Sequence, residues 1–157
     1  MKLIHVIVLL LFSLNAFSQN LMEERIWKIS SQKRSVFLDN GVFHHVGTQV
    51  PSSLNQIRSS FVQGRGYERV VLDFSTPVIP KLYGHISKDL KKVSLDLFST
   101  KINPSLSALE NTKYINKVNV LVLDDANITL EFELKEKLSF DIFYLENPGR
   151  LVIDIRP

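Results

Sequence analysis

The chain has 157 residues, 45 % of them hydrophobic and 22 % charged, with a formal net charge of +3. That length suits one domain with an extension, and the charge is too slight to argue for nucleic acid. The absence of cysteine excludes disulfides, thiolate metal sites, cysteine nucleophiles and lipoprotein acylation.

Residues 1–18 predict a secretory signal peptide. Lys2 is the positive start, Leu3 to Leu14 form a short apolar run, and Ala16-Phe17-Ser18 place small residues where a signal peptidase reads, so cleavage is expected before Gln19. The run is shorter than the roughly 20 residues a membrane span needs. The expected location is therefore the periplasm. Residues 19–50 read as an N-terminal extension. From Gln19 to about Arg34, Met22, Ile26 and Ile29 suit a short amphipathic helix, and a strand fits as well. Asn40-Gly41 then signals a β-hairpin, because a type I′ turn needs positive φ at both central residues; Leu38 would pair with Phe43, Phe37 with His44 and Val36 with His45.

Residues 51–157 read as one β domain. Pro51 to Ile57 suggests one helical turn, and Pro104 to Glu110 a second. Around them lie two sets of four strands: 57–63, 68–74, 80–86 and 91–98, then 115–123, 127–133, 138–144 and 150–155. The sets align without a gap, since Asp73 and Glu131, like Asp96 and Asp154, are 58 positions apart. Val70, Leu72 and Phe74 fall on Ile128, Leu130 and Phe132; Val93, Leu95 and Leu97 fall on Leu151, Ile153 and Ile155. Either an internal repeat or the generic likeness of two β-meanders produces such a match. Each half is then a sheet with one apolar face that it cannot bury alone, and packing the two faces makes a sandwich. The expected fold is all-β: two four-stranded sheets related by a pseudo-two-fold internal repeat, with the N-terminal hairpin added. The last strand, Arg150 to Ile155, follows a tight turn at Glu146-Asn-Pro-Gly149, where Pro fixes one dihedral and Gly is expected to take positive φ.

Catalytic constellations are weak. His44 and His45 are adjacent on a strand, so they point to opposite faces and do not readily share a metal. Asp73, Asp96, Glu131 and Asp154 lie off the core faces, where pairing with Arg69, Lys92, Arg150 or Arg156 competes with any acid–base role. There is no Gly-x-Ser-x-Gly elbow, and Gly64-Arg-Gly66 is a hairpin turn with no helix behind it.

At Tyr67-Glu-Arg-Val-Val-Leu-Asp-Phe74, together with Asn147-Pro-Gly-Arg-Leu-Val-Ile-Asp-Ile155, the chain resembles the AMIN domain. That is the non-catalytic module of periplasmic N-acetylmuramoyl-L-alanine amidases and of some type IV pilus secretins. In that family the Asn-Pro-x-Arg motif more usually closes the first half; here it closes the second, and Lys88 to Val93 stand in its place. The resemblance covers about residues 52 to 157. It implies two symmetrical four-stranded sheets, no catalysis, no metal or other cofactor, and a role in envelope targeting through peptidoglycan. The alternative is a protein-interaction module that adds a strand from a secretin, amidase or division protein to an exposed sheet edge. Non-catalytic glycan binding uses aromatic faces beside planar polar groups. Tyr67, Tyr83, Phe98 and Phe143 are expected off the core, and Arg69 and Arg150 could meet muramyl or stem-peptide carboxylates. Tyr67, Arg69, Tyr83, Phe143 and Arg150 are thus the candidate ligand residues. The competing role for the rings is to cover a sheet face under the hairpin, and for the arginines to form salt bridges.

Overall fold

The computed structural model describes residues 35–107 and 109–157. The expected signal peptide and the helix-or-strand segment after it lie outside these residues.

The described chain is all-β. Eleven strands run in order: β1 (Ser35–Leu38), β2 (Gly41–His45), β3 (Ser52–Val62), β4 (Tyr67–Phe74), β5 (Leu82–Ser87), β6 (Lys92–Leu97), β7 (Thr100–Ile102), β8 (Ile115–Val122), β9 (Ile128–Leu134), β10 (Ser139–Leu145) and β11 (Arg150–Arg156). They form a six-stranded sheet, β1-β10-β11-β4-β3-β7, and a five-stranded sheet, β2-β5-β6-β9-β8. All ladders are antiparallel except the short β3–β7 pair.

Alternation along the strands decides what is buried. Val70, Leu72 and Phe74 of β4, Val93, Leu95 and Leu97 of β6, Ile128, Leu130 and Phe132 of β9, and Leu151, Ile153 and Ile155 of β11 all enter one apolar core shared by the two sheets. Leu72, Leu95, Leu130 and Leu151 are wholly inaccessible.

The two halves are not one sheet each, as the periodicity suggested. The first half sends β3–β4 to the six-stranded sheet and β5–β6 to the five-stranded sheet; the second sends β8–β9 to the five-stranded sheet and β10–β11 to the six-stranded one. The segment 75–81 makes the first crossing. It contains Pro77 and Pro80, which have no N–H to continue a ladder. Two hairpins keep the 58-residue relation in their pairing. Leu82 opposes Leu97 and Ile86 opposes Val93 in β5–β6; Phe140 opposes Ile155 and Tyr144 opposes Leu151 in β10–β11. The central ladders are out of step by two residues, with Leu72 opposite Leu151 but Leu130 opposite Leu95. An even slip leaves every apolar side chain on its own face.

The expected N-terminal hairpin does not form. β1 pairs with β10, and β2 pairs with β5, so the two strands separate to opposite sheets. Gly41 takes φ +110, but Asn40 is not in the positive-φ region that a type I′ turn requires. Instead Asn40 Oδ1 accepts from the Lys88 N–H (3.1 Å), and Asp39 pairs with Lys88 Nζ (3.0 Å). Two open sheet edges outcompete one local turn, because each offers its strand a full ladder.

The two helical turns are also corrected. Ser52 to Ile57 is the start of β3. Ser52 to Leu54 pair in parallel with β7, and the Ser52 hydroxyl is within 3.0 Å of the Thr76 hydroxyl. After Pro104 the chain makes a single tight turn, with Asn103 Oδ1 accepting from Ser105 N and Asn103 O accepting from Leu106 N. In the 146–149 turn the positive φ belongs to Asn147 (φ 54), and the Asn147–Pro148 bond is cis. Gly149 serves close approach instead: a Cβ there would lie 2.7 Å from Thr76 O, while Gly149 N donates to that same oxygen.

Candidate functional site

The five candidate ligand residues fall on two different surfaces. Tyr67, Arg69 and Phe143 meet on the outer face of the six-stranded sheet. Arg69 opposes Asp154 across β4–β11 and donates to it twice, Nε to Oδ1 at 2.6 Å and an Nη to Oδ2 at 2.7 Å. Asp154 is 3 % exposed. The Arg69 guanidinium lies 5.2 Å from the Tyr67 ring centroid and 6.0 Å from that of Phe143, both rings being buried. The Asp154 hydrogen bonds push the Arg69 pKa above its ordinary value. Arg156 continues the cluster, 5.9 Å from the Tyr67 ring and 3.4 Å from Asp141. Arg150 stands apart, opposite Asp73, but Asp73 is taken by Arg58 in a second two-pronged pair at 2.7 and 2.9 Å. Arg58, Arg69 and Arg156 already have their carboxylates, and an incoming anion would have to displace one; Arg150 has none, and its Nε is buried without a hydrogen-bond partner among the described residues.

Tyr83 lies on the outer face of the five-stranded sheet and is 42 % exposed. Pairing sets a row across four strands: His44 on β2, Tyr83 on β5, Asp96 on β6 and Thr129 on β9. The next outward pair is Lys81 and Phe98, tied by Phe98 N donating to Lys81 O at 3.0 Å. The Lys81 ammonium sits 5.1 Å from the Phe98 ring centroid. His44, Tyr83, Asp96, Lys81 and Phe98, together with Gln49, line a groove of about 510 Å³, within the roughly 300–1,000 Å³ of ordinary ligand pockets.

Backbone contacts build the groove's rim. Thr48 N donates to Ile79 O and Lys81 N donates to Thr48 O, drawing segment 46–50 against 79–81. Gly47 makes that possible, with φ +52 and only 2.4 Å between an added Cβ and the Pro80 backbone. Beneath the row, Phe43 covers Gly84; a Cβ on Gly84 would lie 2.1 Å from the ring. Beside it, His45 on the edge strand β2 stacks on Tyr144 of β10 with centroids 4.4 Å apart, joining the two sheets. Burial lowers the His45 pKa, partly opposed by Glu146, and burial raises that of Tyr144.

The groove offers two aromatic surfaces, a carboxylate, two imidazoles and an ammonium. Asp96 Oδ1 accepts from the Thr129 hydroxyl at 2.7 Å. Its Oδ2 accepts no hydrogen bond from the described residues, and a ligand hydroxyl could supply one. Among the described residues no three His, Cys, Asp or Glu side chains converge as metal ligands. Tyr83 was visible in the sequence as an off-core aromatic. His44, Asp96 and Lys81 come beside it only through strand register.

A scan against models of known protein families gives no match for this chain. A search of curated proteins gives none either.

Proposed function

We propose that this protein is a non-catalytic module of the bacterial periplasm that holds to peptidoglycan, with the outer groove of the five-stranded sheet as its binding site. The exposed Tyr83 within the His44–Tyr83–Asp96 row carries this reading. Tyr83 and Phe98 suit the apolar face of a sugar ring, Asp96 and Gln49 suit its hydroxyls, and Lys81 suits a lactyl or stem-peptide carboxylate. The export pattern of residues 1–18 and the AMIN-like stretches support the compartment and the ligand class. We read the paired sheets as a sandwich and the halves as an internal repeat; the shared core and the matching β5–β6 and β10–β11 pairings support this.

Co-sedimentation with purified sacculi tests the proposal. The protein should be enriched in the pellet, and Tyr83→Ala should reduce that enrichment. Retention no greater than that of a control protein of similar pI, about 9.2, would overturn it.

A further inference from the structure

Four strands stand at the sheet margins: β1 and β7 in one sheet, β2 and β8 in the other. Shortness, charge, proline or a bulge normally guards such an edge against pairing with another chain. β1, β2 and β7 are short, with 4, 5 and 3 residues. β8 has 8 residues. Its guards sit at its start: a bulge between Ile115 and Lys117, and the single charge of Lys117. From Val118 to Leu123 there is neither charge nor proline. Val118, Val120 and Val122 oppose the core residues Phe132, Leu130 and Ile128, so they lie on the core-facing side of the sheet. Yet Val120 and Val122 are exposed, Val122 to 66 %, and so are Leu121 and Leu123. Alongside runs an apolar groove of about 370 Å³ with Ile57, Leu106 and Leu109 on its walls. The core thus reaches solvent at this margin.

We propose that β8 pairs antiparallel with β8 of a second copy, about a two-fold axis through Asn119, joining two five-stranded sheets into one. Residues directly opposite in an antiparallel pair share a face, so the axis must bring even-numbered valines to even-numbered partners. With Asn119 on the axis, Val118 meets Val120 of the second copy, and Val120 meets Val118. Lys117 meets Leu121 rather than another lysine. The same register carries the acidic hairpin tip, Asp124–Asp125, past the start of the other β8, where Lys113 lies two residues before the strand. Only this register sets Lys113 directly opposite Asp125; an axis at Val118 or Val120 leaves Asp125 diagonal to Lys113 or to Lys117. Apolar faces and backbone pairing allow several registers, and the direct opposition of charge selects this one.

The chain has no cysteine, which makes a clean test. Asn119→Cys places one thiol on the axis, facing its own copy. Mild oxidation should link Asn119→Cys chains at least tenfold faster than Lys117→Cys chains. Sedimentation equilibrium should show a reversible dimer, and Val120→Lys should weaken it at least tenfold while leaving the thermal unfolding curve in place at dilutions where both chains are monomeric. A wild-type chain that stays monomeric at all concentrations would overturn the proposal. So would equal linking rates, a Val120→Lys chain that dimerises normally, or a monomer whose β8 takes an extended segment of a different envelope protein.

Discussion

On the outer face of the six-stranded sheet, Arg69 is held by both oxygens of Asp154 and flanked by Tyr67 and Phe143; on the five-stranded sheet, Tyr83 stands open between His44 and Asp96. The residue types on the two faces are alike: aromatic rings, cations and carboxylates. What differs is stoichiometry and distance. On the first face each carboxylate lies within direct reach of a guanidinium, as in Arg69–Asp154, Arg58–Asp73 and Arg156–Asp141. On the second, Lys81 lies over the Phe98 ring and Asp96 bonds to a threonine hydroxyl. Pairing occupies every carboxylate of the first face, with Arg150 left over; on the second, Lys92 pairs with Glu131, while Lys81 and Asp96 have no ionic partner among the described residues.

The largest effect should come from breaking the paired face. Arg69→Leu strands the buried Asp154 carboxylate, and loss of one partner from such a pair costs about 3 kcal/mol or more. Urea unfolding should show this, while sacculus retention per folded molecule stays unchanged. The double variant Arg69→Leu with Asp154→Leu should recover most of the loss. A cost below about 1 kcal/mol would mean that the pair behaves as an exposed salt bridge, and the contrast between the faces would shrink. Next comes Gly84→Ala, which forces a methyl into the Phe43 ring. Overpacking of this kind costs about 1–3 kcal/mol. Because Phe43 shares β2 with His44, retention on sacculi should fall together with stability, unlike the Arg69 variant.

Tyr83→Ala should do the reverse. Stability should change by no more than about 0.5 kcal/mol, as for an ordinary exposed position, while binding weakens about tenfold, or about 1.4 kcal/mol. Equal losses in stability and binding would place Tyr83 with the structural aromatics. Lys81→Met should have a smaller effect, about threefold at low salt and vanishing as salt rises, because an exposed ammonium is screened. Salt-independent loss would point instead to its contact with Phe98.

The comparison also marks where sequence reading succeeds and stops. Alternation identified the core-facing side chains of β4, β6, β9 and β11, because period two is a local property. It could not say which strand is whose neighbour. The Asn40-Gly41 signal sent β2 to β1 and set His44 opposite Phe37; the sheet sets it opposite Tyr83, and the groove follows from that pairing. β7 is three residues long, too short for a period, and its role as partner of β3 is long-range. Arg69 and Asp154 were both recognised as off-core charges. Their union spans 85 positions and depends on the β4–β11 ladder, which no local pattern encodes.

The smallest effect concerns the stack that joins the two sheets. His45 comes from the strand that carries the groove, and Tyr144 from β10 of the opposite sheet. Burial depresses the His45 pKa below its ordinary value near 6.5, and Glu146 pulls it partly back. The folded state therefore binds fewer protons at this site than the unfolded chain does. By linkage, its contribution is fully present above pH of about 6.5 and is lost as pH falls from there through the folded pKa. Thermal midpoints measured between neutral and mildly acidic pH should fall for the wild type and fall less for His45→Phe, which keeps an aromatic ring on Tyr144 without the titration. Glu146→Gln should steepen the wild-type decline. If midpoints rise on acidification and Glu146→Gln abolishes the rise, the carboxylate outweighs burial, and the junction between the sheets is held by charge rather than by stacking.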